Sequence, residues 1–166
     1  MYHTVYEIGL LPAYGFWHGL IFVVIGVLVF RGMCRARSGA TPTERGCFPK
    51  LWGMSAAALG GFAALVMLRG HIEALLAYKT GHVEIVEGLV HVLREQPANG
   101  HAPGDLVEIS GRQVEVDYFV SNSGYSTTIS HGGVLRDGVV ARCSIRKGLI
   151  LRLDIKDPMT GPTTSQ

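Results

Sequence analysis

The chain opens with two apolar runs that carry no formal charge, and period-two alternation of apolar and polar residues fills most of the remainder. Residues 13–30, AYGFWHGLIFVVIGVLVF, are uncharged and come close to the ~20 apolar residues that a membrane-spanning helix needs. Their core, residues 20–30, consists almost wholly of Leu, Ile, Val and Phe, worth about 3–6 kcal/mol toward insertion. A cleaved signal peptide would have basic residues ahead of its apolar stretch, and residues 1–12 contain no Lys or Arg. A buried core helix would keep a polar face, which this run lacks.

The second run, residues 51–68 of a helix expected over 51–69, is rich in alanine and glycine, so its own drive into lipid is weaker. Gly53, Ala57 and Gly61 recur every four residues, as do Ala56, Gly60 and Ala64, and the first run has Gly15 and Gly19 at the same spacing. Small residues in such rows let helices approach closely inside a bilayer. The pattern predicts a helical hairpin packed through Gly15, Gly19, Gly53, Ala57 and Gly61. The same faces also offer a route to a protein partner or a homo-oligomer.

Charge sets the expected orientation. Residues 31–50 hold five positive side chains (Arg31, Arg35, Arg37, Arg45, Lys50) against Glu44 alone. Loops enriched in this way stay in the cytoplasm, so both termini are expected on the other side, as a two-pass protein of a bacterial inner membrane with a periplasmic domain. Trp17 and Trp52 lie near opposite ends of the hairpin, where indole rings settle among headgroups. Residues 70–166 hold nine positive and eleven negative charges, so no basic surface for nucleic acid is indicated. The expected partners are the lipid bilayer and protein.

Residues 70–81 place Ile72, Leu75, Leu76 and Ala77 at helical spacing, a juxtamembrane helix that either continues the second run out of the membrane or lies along its surface, and that Gly81 should end. Alternation then takes over. Val86, Gly88, Val90 and Val92 share one face, and Gly88 reads as a bulge or tight bend. Residues 106–109 and 113–120 read as a hairpin turning at Ser110-Gly111. Residues 139–145 and 149–155 read as a second hairpin turning at Lys147-Gly148. This amounts to five strands within residues 82–157, enough for a small barrel of the oligonucleotide/oligosaccharide-binding (OB) type, with an SH3-like barrel or a curled sheet as alternatives. Residues 1–12 read as an extracytoplasmic tail and 158–166 as a disordered one.

The long connection 121–138, SNSGYSTTISHGGVLRDG, has the hydroxyls and glycines of a turn-rich loop. Tyr125, Ile129, Val134 and Leu135 could pin it to the barrel, and loops of this length are usually functional or disordered. Its expected binding residues are Tyr125, Thr127, Ser130, His131, Gly132 and Gly133, with His101 from the preceding loop. Ser130 and His131 are neighbours in sequence, and on an extended chain their side chains point apart, so no nucleophile–base pair is expected without a special turn. No histidine pair has metal-ligand spacing, and no catalytic residue, metal or cofactor is assigned. Cys34 and Cys47 fall in the cytoplasmic loop, whereas Cys143 reads as a packed thiol within a strand. His18, beside Trp17, reads as interfacial.

Gly100-His101, Asp117-Tyr118-Phe119, Ser130-His131-Gly132-Gly133, Gly138 and Arg152-Leu153-Asp154-Ile155 resemble a group of uncharacterised bacterial proteins with a short β domain. The resemblance spans about residues 86–155, and its Ser-His-Gly-Gly run is the distinctive part. It implies a shared β fold and brings no activity. At fold level the chain is also similar to the membrane-anchored OB-barrel partners of stomatin-like proteins. The expected function is a non-catalytic, membrane-anchored binding or assembly module. The alternatives are an enzyme using His131 in the 121–138 loop, or an accessory subunit of a larger membrane complex.

Overall fold

A computed structural model describes residues 1–12, 14–35, 48–100 and 102–156. Most of the basic loop (36–47, with Cys47), His101 and the 157–166 tail lie outside the described residues, as do the side chains of residues 14, 33–35 and 48–50. The chain divides into two compact units, residues 11–72 and residues 1–10 with 73–166.

Two helices, α1 (Tyr14–Arg35) and α2 (Phe48–Lys79), make the first unit, and the last turns of α2 belong to the second. Both are long and apolar enough to cross a membrane, and only 11% of the α1 window and 17% of the α2 window is buried. Ile21, Phe22, Val24, Leu28, Leu59, Phe62 and Leu65 remain exposed. A core helix of a soluble protein would have these side chains covered.

The two helices meet through their smallest residues. A Cβ added at Gly19 would lie 2.8 Å from the Gly60 carbonyl oxygen and 2.9 Å from the Ala64 methyl. One added at Gly26 would lie 2.6 Å from the Gly53 carbonyl oxygen and 2.9 Å from the Ala57 methyl. The contact runs through Gly19, Gly53 and Ala57, together with Gly26, Gly60 and Ala64. Gly61 lies off this line, its nearest neighbour being the Val23 side chain at 3.7 Å, and Gly15 is buried one turn before Gly19.

Of the two arrangements open to the juxtamembrane helix, the structure has the one that continues the second helix. Helix α2 runs unbroken through Gly70 to Lys79, because a single glycine in an apolar helix costs only about 1 kcal/mol. Gly81 does end it, with φ of +74° and a bond from the His82 N–H back to the Ala77 carbonyl at 2.8 Å.

The second unit is an antiparallel sheet of six strands, not five. They are β1 (Tyr2–Glu7), β2 (Glu84–Arg94), β3 (Asp105–Ile109), β4 (Arg112–Val116), β5 (Val140–Arg146) and β6 (Leu149–Lys156), in the order β1-β6-β5-β2-β3-β4. The added strand is the N-terminal stretch read as a tail. Tyr2, Thr4 and Tyr6 are good strand formers, but their partner, residues 152–156, lies at the far end of the chain.

The same strand accounts for the open sheet. β4 comes close to β6, where a barrel would close. Both edges of β6 are already taken, one by β5 and the other by β1. No ladder joins β4 to β6, and the barrel expected from the sequence is left as a curled, open sheet.

Inward residues of every strand from β2 to β6 form one core: Val86, Val90, Val107, Ile109, Val114, Val116, Ala141, Cys143, Ile145, Ile150, Leu153 and Ile155. Burial pushes the Cys143 thiol up to about 12, with a smaller contribution from Asp154. Both hairpin turns use two residues at positive φ, Ser110-Gly111 and Lys147-Gly148, the geometry that matches strand twist. Gly88 makes no bulge. Its missing side chain makes room for Ser110, whose hydroxyl donates to the Glu87 carbonyl at 2.6 Å.

A smaller cluster of Ile8, Ala74 and Leu151 seats the last turns of α2 on the sheet. Around it Arg152 donates to Asp154, Thr4 and Tyr78, while the Tyr78 hydroxyl donates to Glu7 at 2.8 Å. This network ties β1, β6 and the end of α2 together.

Candidate functional site

Strand β4 stops at Val116, four residues short of the expected Val120. The reason is local. Strand β3 begins at Asp105, which faces Val116, so residues beyond 116 have no ladder partner. Buried Gln96 and half-buried Asp117 then bend the chain outward. The Tyr118 N–H donates to the Gln96 side-chain oxygen at 3.1 Å, and the Phe119 N–H donates to the Asp117 carboxylate at 2.9 Å.

Gln96 is only 1% exposed and holds three segments at once. Its amide NH2 donates to the Ala102 carbonyl and the Asp117 carboxylate, and its own backbone N–H donates to Asp105 at 2.6 Å. The second oxygen of buried Asp105 accepts the Ile129 N–H at 2.6 Å. Two buried polar side chains thus fix residues 96–105, the bend at 117–120 and the turn at 129–133 relative to one another. Buried polar groups with every partner in place hold a unique geometry.

What they hold outward is apolar. Tyr118, Phe119 and Val120 are 47%, 54% and 50% exposed. His131 stacks flat on Tyr118, with ring centroids 3.7 Å apart and planes 4° from parallel, and meets Phe119 edge-on at 5.6 Å. Phe119 also lies against Gly100, at φ of +71°, where a Cβ would collide with the ring.

The 121–138 connection is ordered and crosses the open part of the sheet. The Tyr125 N–H donates to the Ile150 carbonyl at 2.8 Å, and Val90 exchanges backbone bonds with Gly138 and Val139. Tyr125 and Leu135 are buried in the main core, and Val134 packs against it. The Tyr125 hydroxyl accepts the Val134 N–H at 3.2 Å, its ring meets Tyr6 of β1 at 5.8 Å, and burial raises its phenol pKa. Tyr125 therefore supports the loop from beneath and does not face outward as a binding residue.

Residues 129–131 form one 3-10 turn, closed by Gly132 at φ of +87°. Gly133 is buried, its Cβ position occupied by the Thr127 and Thr128 backbone, and its N–H donates to the Thr128 carbonyl at 2.8 Å. This turn overturns the expectation that Ser130 and His131 point apart. The Ser130 Oγ lies 3.1 Å from His131 Nδ1, and Thr128 Oγ1 lies nearer, at 2.8 Å. A neutral imidazole nitrogen offers one donor or one acceptor position, so the two hydroxyls compete for it.

Thr128 is fully buried and Ser130 exposed. Among the described residues the neighbours of the imidazole are Tyr118, Phe119, Thr128 and Ser130, with no carboxylate in the group. Among the described residues no three His, Cys, Asp or Glu side chains group as metal ligands. Elsewhere, His18 is exposed on α1 and His71 buried on α2.

The structure brings Ser130, His131, Gly132 and Gly133 together, with Thr127 alongside, and adds Tyr118, Phe119, Gln96, Asp105 and Thr128. One signal for the aromatic pair was in the sequence. After Val114, Val116 and Tyr118 at alternate positions, Phe119 puts a large apolar residue at the wrong parity, which a strand with one wet face does not place there. No family model, curated protein or solved structure matches the chain.

Proposed function

We propose that this is a two-pass protein of a bacterial inner membrane that presents its sheet unit outside the cytoplasm as a non-catalytic recognition and assembly module. One observation carries the reading. Buried Gln96 and Asp105 are committed to holding Tyr118, Phe119 and Val120 outward beside His131. A loop under no demand but folding would turn such side chains inward.

Strands β2 to β6 follow the order of an OB-like barrel, and this supports the likeness to membrane-anchored OB modules as a fold only. The membrane part rests on the two exposed apolar helices and on the basic residues between them. An accessory role in a larger membrane complex is the same module seen from its partner's side.

The Ser130–His131 contact favours a second reading, an enzyme with Ser130 as nucleophile. Thr128 stands closer to the same nitrogen, and no carboxylate among the described residues orients the ring, so the pair lacks the third group that such catalysis uses. The test compares two variants of the full chain, Tyr118→Ser/Phe119→Ser and Ser130→Ala. The first should abolish membrane-complex formation in cells and the second leave it intact. Loss of a measured ester or peptide hydrolysis on Ser130→Ala, with the fold unchanged, would replace this reading by the enzyme.

A further inference from the structure

We infer that Tyr6 is a positioning residue, through which the N-terminal strand β1 sets the 121–138 connection and its Ser-His-Gly-Gly turn. This role rests on the proposed reading of the turn as part of a recognition surface, and adds the element that controls it.

Strand β1 enters the main core at one point. Among the described residues, Tyr6 is the side chain of β1 that packs against that core, whereas Tyr2 and Thr4 bond to Glu87 and Asp154. Tyr6 reaches the 121–138 connection twice. Its hydroxyl donates to the Ser123 carbonyl at 2.8 Å, and its ring meets the Tyr125 ring at 5.8 Å and 63°. Burial raises the phenol pKa, so the hydroxyl stays a donor near neutral pH.

Tyr125 passes the constraint on. Its hydroxyl accepts the Val134 N–H at 3.2 Å, and Val134 directly follows Gly133, whose N–H closes the turn on the Thr128 carbonyl. Thr128 Oγ1 in turn stands 2.8 Å from His131 Nδ1. The other anchors lie further along, Asp105 at Ile129 and Val90 at residues 138 and 139. At residues 123–125 the connection leans on Tyr6 and on the Ile150 carbonyl.

Chain order turns this link into a control. Residues 11–72, with both helices, separate β1 from the rest of its unit. A chain whose N-terminal strand is cleaved, or left on the other side of a membrane, keeps the core of β2 to β6 and loses the support beneath the turn. Recognition is thereby tied to a correctly placed N-terminus.

The test measures amide hydrogen exchange in the detergent-solubilised full chain, which reports local opening segment by segment. In Tyr6→Ala the Tyr125 and Val134 amides should exchange roughly tenfold faster, the scale of one aromatic pair and one hydrogen bond lost together. The Val107 and Val114 amides of the β3–β4 hairpin should keep their wild-type rates. Tyr6→Phe, which keeps the ring, should hold the Val134 amide at its wild-type rate. A chain lacking residues 2–8 covers the case in which Tyr6→Ala does not fold. A synthetic peptide of residues 1–8 should restore slow exchange there at Tyr125, Val134 and the β6 amides, and the same peptide with Tyr6→Ala at β6 only.

Unchanged rates at Tyr125 and Val134 in folded Tyr6→Ala overturn the proposal. Rates that rise equally at Val107 and Val114 overturn it too, because Tyr6 then only adds stability to the sheet. Membrane-complex formation in cells, scored beside exchange, separates the two levels. A loosened turn with complexes formed as in the wild type overturns control of recognition by β1. Complexes that survive Tyr118→Ser/Phe119→Ser as well remove the recognition reading itself.

Discussion

Few side chains of this protein show their role as plainly as Gln96. It is buried, uncharged, and bonded to both the bend at 117–119 and the loop at 102. Gln96→Leu keeps the volume but strands the Tyr118 N–H, the Ala102 carbonyl and the Asp117 carboxylate, part-buried groups that fall at the low end of about 1–3 kcal/mol apiece, a loss on the order of 3 kcal/mol in all. His131→Ala removes one stack and one hydroxyl contact at a half-exposed site and should cost about 1–2 kcal/mol. Thermal melts of the two variants should rank them in that order, and the reverse ranking would mean that His131 holds the loop. Cys143 provides a second test. Its thiol pKa is raised from 9.0 to about 12 by burial and then by Asp154, so the unfolded chain releases this proton before the folded one does. The contribution is intact below about pH 9 and falls as pH rises from there toward 12. Cys143→Ala should flatten the loss of stability across that window, and maleimide should leave Cys143 unmodified until the sheet unfolds.

Elements show how much a sequence can reveal on its own. The apolar runs of α1 and α2, the two-residue turns and the alternation of β5 and β6 depend on neighbours in the chain, and they were legible. Strand β1 was not, because six residues carry a weak signal and their partner is more than 140 residues away. The end of β4 was hidden for a similar reason, since Gln96, a side chain from another loop, turns the chain at Tyr118. Of the candidate site, the Ser-His-Gly-Gly turn was legible from its glycines, whereas Tyr118 looked like one more strand position. Helix packing allows a clean prediction at this scale. A Cβ at Gly26 would stand 2.6 Å from the Gly53 carbonyl oxygen, whereas Gly32 has nothing within 4 Å. Gly26→Leu should drive the helices apart and lower the melting temperature of the detergent-solubilised chain, while Gly32→Leu should leave it unchanged. Equal effects at the two positions would show that close approach at Gly26 does not hold the hairpin.

At the scale of the whole molecule, the sheet constrains the topology independently of charge. β1 precedes α1, its partner β6 follows α2, and the two are joined by a backbone ladder from Tyr2 to Glu7. Both must lie on one side of any membrane that the helices cross, so the number of crossings between them has to be even. The ladder fixes parity only, and in the proposed topology the side is chosen by the five basic residues at positions 31–50. Fusions carrying a reporter active only outside the cytoplasm should therefore be active at the C-terminus and silent at Gly39. Replacing Arg31, Arg35, Arg37, Arg45 and Lys50 by glutamine weakens the choice of side without touching the ladder. The variant should appear in mixed orientation, with the N- and C-terminal reporters of any one molecule still agreeing. A population whose two termini report opposite sides, yet whose sheet protects its β6 amides from hydrogen exchange, would contradict the pairing of β1 with β6 across the hairpin.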